Sequence, residues 1–523
     1  MVLPKVKRSR SYLNCSALEA MLVAFLLVIA TTIIVMFGFV STTTTSPSNA
    51  TTTTTTTAGA GAGAALRVRQ GSNTNNNAGG GNPAGDGETK YHVVFSTSCS
   101  YSHDWQSYLF YFHAMLHDQP GDVTRVVSGC SDEDEATMRK LHEEQFSIMN
   151  PNFLIHFTPE FGKQLNHLGF NYQQTKYWNK PFGLRHWLQH RFGYSWDPTG
   201  KDKSGLNTPH DDDIVILVDP DMLMQRPFIN DFSKFPDTLW TNWHRKHTSP
   251  LATKVSPGQP IAQDYSFGSQ WLTSVKHNLT YVVGPDSPVH QVTNEEAVNL
   301  YSAGPPYWFT ARDGFLIAQH WAEFLPRLFE VKPVFMAEMY GYCMAAAHLG
   351  LKHQLARGFM VSNVDMYDGE GWPFLDNADG TTCDVSQFQN DVPFVIHFCQ
   401  RYSVGEFFIN KYLFPHEVLT CDHPMLQLPP LDIVSYTNYS YFGDGSLQVW
   451  EGRKSRHIYK HAFMICSLMP ALNKAAEFYK DHHCPTGANR SKTYNHFRSA
   501  FYEKDHGVFY NKFHPEPFPP REE

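Results

Sequence analysis

Short apolar runs and longer amphipathic segments alternate along the chain from residue 91 onward. The runs are brief and rich in β-branched and aromatic residues, so they predict strands at 91–96, 124–128, 153–157 and 214–218. Apolar positions at helical spacing predict helices at 104–117 and 179–188. This alternation predicts an α/β fold, with a mostly parallel sheet flanked by helices.

The second half of the chain is less regular. Its apolar patterns predict helices at 333–350 and 458–480 and a strand at 392–398. Two aromatic-rich segments, 241–247 and 304–308, predict loops whose ring faces suit sugars or nucleobases. We divide residues 91–523 into a main domain, the predicted catalytic domain, at 91–430 and a C-terminal helical extension and tail at 431–523.

The N-terminus predicts a membrane anchor. Residues 20–40 carry no charge and are long enough to span about 30 Å of hydrocarbon. Lys5, Lys7, Arg8 and Arg10 precede them, which predicts a cytosolic tail at 1–19 and a lumenal body. A cleaved signal peptide is the alternative, although the apolar run is long for one.

A low-complexity segment at 41–90 follows, rich in Thr, Ala, Gly and Asn, and predicts a flexible stem. Tail, anchor, stem and body in this order are typical of a single-pass type II protein of the Golgi membrane. The endoplasmic reticulum is the second possibility. The chain is 42% hydrophobic and has a formal net charge of −8. Its body has no basic stripe, so we expect no nucleic-acid partner.

Nine cysteines are present, and Cys15 lies before the predicted anchor. The remaining even number on the lumenal side suits disulfides. Closeness in sequence suggests Cys99 with Cys130, Cys399 with Cys421 and Cys466 with Cys484, and leaves Cys343 as a possible buried thiol. Sequence alone does not determine the pairing.

The most informative motif is Asp219-Pro220-Asp221, which directly follows the predicted buried strand 214–218. Residues two apart on an extended backbone point the same way, about 6–7 Å apart. Ligands of parallel sheets bind beyond the carboxyl ends of the strands, and two carboxylates there can hold a hard divalent cation. An isolated Asp-x-Asp is a weak signal, because most such triplets are solvated turns.

Longer blocks of sequence carry a family resemblance. The chain resembles the plant and algal superfamily of hydroxyproline O-arabinosyltransferases and peptidyl serine α-galactosyltransferases, and is closer to the serine galactosyltransferase branch. The residues that carry this resemblance are 95–100, 104–106, 119–125, 128–130, 179–181, 187–188, 215–222, 338–342 and 397–405.

The resemblance implies a GT-A-like nucleotide-diphospho-sugar transferase fold and a retaining, metal-dependent glycosyltransferase. Such an enzyme moves a sugar from a UDP-sugar to a hydroxyl of a secreted, hydroxyproline-rich, extensin-like protein. Asp219, Asp221 and His397 would bind Mn²⁺ or Mg²⁺. A histidine on an apolar strand is otherwise more often a core residue, and Asp219 could instead cap the following turn.

Other residues receive roles on the same basis. Lys180 and Arg401 could meet the phosphates, as a point charge and a bidentate fork, and the alternative is that both are solvated at the surface. Arg125 could contact the donor or form an internal ion pair. Trp105 and Gln106 could face uracil or ribose, although Trp105 could simply pack in the core. Asp219 could bind the ribose instead of the metal.

Glu338 is the candidate acidic group beside the transferred sugar. It lies in a helix with an apolar face, where an unpaired carboxylate is costly, so we expect it to have a partner, either a sugar hydroxyl or a nearby basic residue. Asp313 is a second candidate, with an ion pair to Arg312 as the alternative. Two rival functions remain: hydroxyproline arabinosyl transfer, and sugar binding without catalysis. A metallohydrolase is disfavoured, since the sequence has no His-Glu-x-x-His motif.

Overall fold

A computed structural model describes residues 90–495, with gaps at 165–174, 199–201, 240–250, 367–368, 377, 379–381, 389–390, 413, 415, 442–446 and 453–455. The predicted anchor at 20–40, most of the predicted stem and the aromatic segment at 241–247 lie outside the described residues. Among the helices that are described, none combines the length and apolarity needed to cross a membrane.

The strands and helices follow the predicted alternation. The strands are β1 Tyr91–Ser98, β2 Asp122–Ser128, β3 Phe153–Thr158, β4 Ile214–Val218, β5 Met222–Met224, β6 Ile261–Asp264, β7 Ala303–Thr310, β8 Gln354–Ala356, β9 Met360–Val361, β10 Val395–His397, β11 Arg401–Val404, β12 Phe407–Asn410, β13 Met425–Leu426, β14 Tyr439–Tyr441, β15 Leu447–Val449 and β16 Thr493–Tyr494. The longer helices are α1 Asp104–Leu116, α2 Asp132–Gln145, α3 Asn179–Phe192, α4 Asn294–Leu300, α5 Ala311–Val331, α6 Ala337–His348 and α7 His457–His483. Short helices lie at Phe161–Gln164, Gln270–Thr273, Leu279–Val283 and Ile433–Tyr436.

The main sheet joins seven of the described strands in the order β3-β2-β1-β4-β7-β6-β8. The first four are parallel, β7 is antiparallel to both of its neighbours, and β8 is parallel to β6. The predicted mostly parallel sheet with flanking helices is therefore confirmed, with one strand reversed.

Strand β4 is buried on both faces, as a central strand between two helical layers must be. Its residues Ile214, Ile216 and Val218 pack into one hydrophobic cluster with α1 and α7. The alternate residues Val215 and Leu217 pack into a second cluster with α3, α5 and α6. Because α7 shares a core with β4, it contributes to the same packed body as the sheet.

The loop predicted at 304–308 is wrong, because these residues form part of the buried strand β7. Proline is rare in central strands, so Pro305 and Pro306 concealed it. The two prolines fall where the pairing of β6 and β7 shifts register, between the pairs Ala262–Tyr307 and Gln263–Gly304. The irregular pairing accommodates residues that cannot donate an N–H.

The disulfides correct two predicted pairs. Cys99–Cys130 is confirmed, whereas Cys466 pairs with Cys383 and Cys421 pairs with Cys484. The last two bridges span 83 and 63 residues, so closeness in sequence was a poor guide. Cys343 is a buried thiol, and Cys399 is also a thiol rather than a partner of Cys421.

Candidate active site

The Asp219-Pro220-Asp221 triplet forms the turn between β4 and β5. The Met222 N–H donates to the Asp219 carbonyl at 3.2 Å, and the Phe398 N–H donates to the Asp221 carbonyl at 2.9 Å. Asp219 is half-buried and Asp221 is buried. The two carboxylates lie at the carboxyl end of β4, the edge of a parallel sheet at which ligands bind.

Strand pairing brings His397 to the same place. β10 runs antiparallel to β5, with His397 opposite Met222. The Nε2 atom of His397 lies 3.3 Å from Oδ1 of Asp221, and the Tyr265 hydroxyl lies 3.5 Å from Nδ1. Asp219, Asp221 and His397 each offer a ligand atom, and these atoms lie within 4.8 Å of one another. The structure therefore brings together all three residues proposed as metal ligands.

Two lysines flank the carboxylates. The Nζ atom of Lys180, in the first turn of α3, lies 2.7 Å from Oδ1 of Asp219 and 3.4 Å from Oε1 of Glu338. Lys411, directly after β12, contacts Oδ2 of Asp221. Burial alone would lower the pKa of each lysine, but the neighbouring carboxylates outweigh it and raise the pKa. Both lysines are therefore protonated cations within the site.

The same charges act on Asp221 and His397. Burial tends to raise the pKa of Asp221, but Lys411 and His397 outweigh it and hold that pKa well below its usual range. Burial tends to lower the pKa of His397, and Asp221 outweighs it and raises that pKa. Asp221 is thus an ionised carboxylate, which is the form that a cation binds.

Glu338 lies in the first turn of α6, buried beside Lys180. Burial raises its pKa to about 7, with a further contribution from Asp219 and partial compensation by Lys180. The Trp321 indole N–H donates to the Glu338 carbonyl at 2.7 Å, which fixes the backbone of this turn. A carboxyl with a pKa near neutrality can either donate or accept a hydrogen bond to a sugar hydroxyl.

Asp313 is not brought to this site. Thr310, three residues before Asp313, pairs with Ile214 at the amino end of β4, whereas Asp219 follows the carboxyl end of that strand. The Gly258 N–H donates to Oδ2 of Asp313 at 2.7 Å, so the carboxylate serves the local backbone at the opposite edge of the sheet.

Arg125 and Trp105 take the structural alternatives considered for them. Arg125 is buried, with Nη2 at 2.8 Å from Oδ1 of Asp104 and Nε donating to Thr97 at 2.9 Å. Trp105 is buried against Phe398 and Phe414, with ring centroids 5.9 and 5.0 Å away. Trp105 therefore packs directly behind the strand that carries His397.

The remaining two predicted donor contacts lie on nearby elements. Gln106 follows Trp105 in α1 and is buried, and its side-chain amide donates to the Ser102 carbonyl at 3.4 Å. Arg401 is exposed at the start of β11, opposite Asn410. Arg401 therefore pairs with the residue that directly precedes Lys411.

Two curated proteins are similar to the chain. Both are named peptidyl serine alpha-galactosyltransferase. The one from Arabidopsis thaliana is 22% identical over 291 residues, which cover 52% of this chain and 27% of that protein. The one from Chlamydomonas reinhardtii is 29% identical over 140 residues, which cover 27% of this chain and 15% of that protein. The resemblance inferred from the sequence blocks is thereby confirmed, and the matched regions span about a quarter or less of these relatives.

Among solved structures, the galactosyltransferase LgtC in complex with donor and acceptor sugar analogues has a TM-score of 0.30 and 13% identity, covering 59% of this chain and 87% of that one. The bifunctional glycosyltransferase WbbM has a TM-score of 0.29 and 12% identity, covering 61% of this chain and 46% of that one. No protein-family model matches the chain.

Among the described residues of this site, Lys411 and Tyr265 are two that the sequence did not reveal. A lysine at the end of a short apolar run is usually solvated, and nothing local distinguishes this one. The available signal for Lys411 was position. It directly follows β12, the second strand of a hairpin that begins a few residues after His397, so the chain returns toward its starting point there.

Proposed function

We propose that the chain is a retaining, metal-dependent glycosyltransferase of GT-A-like fold. It transfers galactose from UDP-galactose to serine hydroxyls of secreted, hydroxyproline-rich proteins. The observation that carries this proposal is the convergence of Asp219, Asp221 and His397 beyond the carboxyl end of β4. The names of the two curated relatives support the choice of sugar and acceptor.

The donor set fits a divalent cation. Two carboxylates and one imidazole suit Mn²⁺ and are compatible with Mg²⁺, and the ionised state of Asp221 favours binding. When bound, such an ion would supply positive charge to the diphosphate leaving group.

The chain's own cations act on the same phosphates. Lys180 and Lys411 are protonated. Lys180 contacts the carboxylate of Asp219, and Lys411 contacts that of Asp221. A donor diphosphate bound here would compete with the two aspartates for the lysines and would accept charge-assisted hydrogen bonds from them. Arg401, which is exposed at the start of β11, would add a bidentate contact.

Glu338 acts on the sugar rather than on the phosphates. Its carboxyl is buried and contacts Lys180, and it can hydrogen-bond a donor hydroxyl. In a retaining transfer on one face of the sugar, the departing phosphate oxygen takes the proton of the acceptor hydroxyl. Glu338 is therefore assigned to orienting the sugar, and no separate general base is required.

The location of the enzyme follows from residues outside the described part of the chain. The uncharged segment 20–40, after a basic N-terminus, would anchor the protein in the Golgi membrane with the catalytic part in the lumen.

The test uses the purified full chain with Mn²⁺ and an extensin-like peptide that contains serine and hydroxyproline. UDP-galactose and UDP-arabinofuranose are presented separately, and the peptide mass is measured. A hexose on serine is expected. A pentose on hydroxyproline would reassign the enzyme to arabinosyl transfer. If neither sugar transfer nor donor hydrolysis is detected, a catalytic role with these donors is contradicted.

A further inference from the structure

A second group of possible metal ligands lies away from the Asp219 site. It consists of His156 in β3 and His186 and His190 in α3, named the histidine cluster below. Each ring offers a nitrogen, and these nitrogens lie within 4.8 Å of one another. His186 and His190 are one helical turn apart, so they share a face of α3.

The rings are already in contact. His156 Nε2 lies 2.9 Å from His186 Nδ1, and the rings of His186 and His190 stack at 3.9 Å between centroids. Adjacent nitrogen ligands on a tetrahedral ion with bonds of about 2.0–2.1 Å are about 3.3 Å apart. The spacing of His156 and His186 is therefore close to that of two ligands on one ion.

A hydrogen bond orients the third ring. His190 Nδ1 donates to the His186 carbonyl at 2.7 Å, which leaves its lone pair on Nε2. Metal-bound histidines usually have their second nitrogen fixed in this way. His190 is exposed, whereas the other two are half-buried, so solvent reaches one side of the cluster.

We propose that the histidine cluster binds a borderline divalent transition ion, with Zn²⁺ as the representative, and that water completes the coordination. Three imidazoles favour Zn²⁺, Ni²⁺, Cu²⁺ or Co²⁺ over Mn²⁺ and Mg²⁺, which prefer oxygen ligands. The cluster thus differs in chemistry from the Asp219 site.

The ion would cross-link the edge strand β3 to helix α3. The same helix carries Lys180 in its first turn, about 9–15 Å along the axis from the cluster at 1.5 Å per residue. Binding would therefore stabilise the helix that holds Lys180 against Asp219 and Glu338, without placing the ion at those carboxylates.

The experiment measures Zn²⁺ binding by calorimetry in the full chain and in the variant His190→Gln. His482→Gln is the matched control, because His482 is also exposed on a helix and also bonds the carbonyl four residues earlier, at 2.8 Å from Phe478. The three chains are also compared in an Asp221→Asn background, which removes the other candidate site.

In the Asp221→Asn background, one Zn²⁺ per chain is expected, with an affinity at least about tenfold weaker after His190→Gln and unchanged after His482→Gln. In the chain with Asp221 intact, His190→Gln should weaken one class of Zn²⁺ site by the same factor and leave the other class unchanged. Zn²⁺ should also raise the melting temperature less in the His190→Gln chain, and Co²⁺ should give the visible absorption of a four-coordinate ion only with the cluster intact.

Equal Zn²⁺ affinity in the His190→Gln and His482→Gln chains would overturn the proposal. Absence of binding in the Asp221→Asn chain would do the same, and would leave the cluster as hydrogen-bonded and stacked imidazoles.

Discussion

Asp221 and His397 meet across the β5–β10 pair, with Oδ1 of one residue 3.3 Å from Nε2 of the other. The proposed function makes both of them metal ligands, so Asp221→Asn should abolish Mn²⁺-dependent turnover. We expect a loss of at least about 100-fold, because even residues that only orient a ligand typically cost roughly 10–100-fold. Turnover at saturating UDP-galactose, measured over a range of Mn²⁺ concentrations, checks this.

Asp212→Asn is the control for that measurement. It makes the same chemical change at an exposed position before the amino end of β4. Its turnover should match that of the unmodified chain. Full Mn²⁺-dependent activity in the Asp221→Asn enzyme would remove Asp221 from the metal site.

Removing the charge of Lys411 should change the affinities for Mn²⁺ and for UDP-galactose in opposite directions. Its charge contacts Asp221, so it opposes a cation there and favours a diphosphate. Lys411→Met should strengthen Mn²⁺ binding in the absence of donor and weaken UDP-galactose binding, each by about tenfold, or about 1.4 kcal/mol. Calorimetric titration of Mn²⁺ and of UDP-galactose separates the two effects.

Lys474→Met, at an exposed position of α7, provides the comparison for Lys411. It should alter neither affinity. A Lys411→Met chain that loses affinity for both ligands would show that the lysine mainly maintains the fold of the site.

Glu338 predicts a pH dependence of stability. Its carboxyl keeps a proton up to a pKa of about 7 in the folded protein, whereas the ordinary value is 4.5. Between these values the folded state binds more protons than the unfolded state, so the free energy of unfolding falls as pH rises. Relative to Glu338→Gln, the unmodified chain should lose up to about 1.4 kcal/mol per pH unit between pH 5 and 7, and no more above pH 8.

Urea denaturation at pH 5, 6, 7 and 8 measures this difference. Glu477→Gln, which changes an exposed glutamate on α7, should keep a constant difference from the unmodified chain over the same range. A constant difference for Glu338→Gln as well would mean that the buried carboxyl is ionised throughout.

The sequence predicts the parallel half of the sheet well, because β1, β2 and β4 are short buried runs whose side chains pack on both faces. The edge strand β3 is only partly buried, but it is a short apolar run as well. Helix α2 escaped prediction for the opposite reason. Only Met138 and His142 are buried along it, so it has almost no apolar stripe. Its real signal was the Ser131 cap, which accepts from the Asp134 N–H ahead of an acidic first turn.

The site was predictable where the signal is local. Asp219 and Asp221 directly follow β4, so burial of one strand fixes their place. His397 and Glu338 came from family resemblance, since no spacing connects them to the triplet. The position of Lys411 depends on the β11–β12 hairpin. The position of Asp313 depends on β7, which reverses direction and carries Asp313 to the other end of β4. Sequence periodicity does not encode that reversal.

The disulfide pairs of the structure differ from the pairs that closeness in sequence suggests. Cys421 is bonded to Cys484 across 63 residues, whereas Cys399 is a thiol. Cys421→Ser should therefore lower the free energy of unfolding by about 2–5 kcal/mol, because the bridge restricts the unfolded chain. Cys399→Ser, which breaks no bridge, should cost far less. Denaturation of both variants, with peptide mapping under non-reducing conditions, measures the difference. Equal destabilisation together with a Cys399–Cys421 peptide would restore the pairing of sequence neighbours.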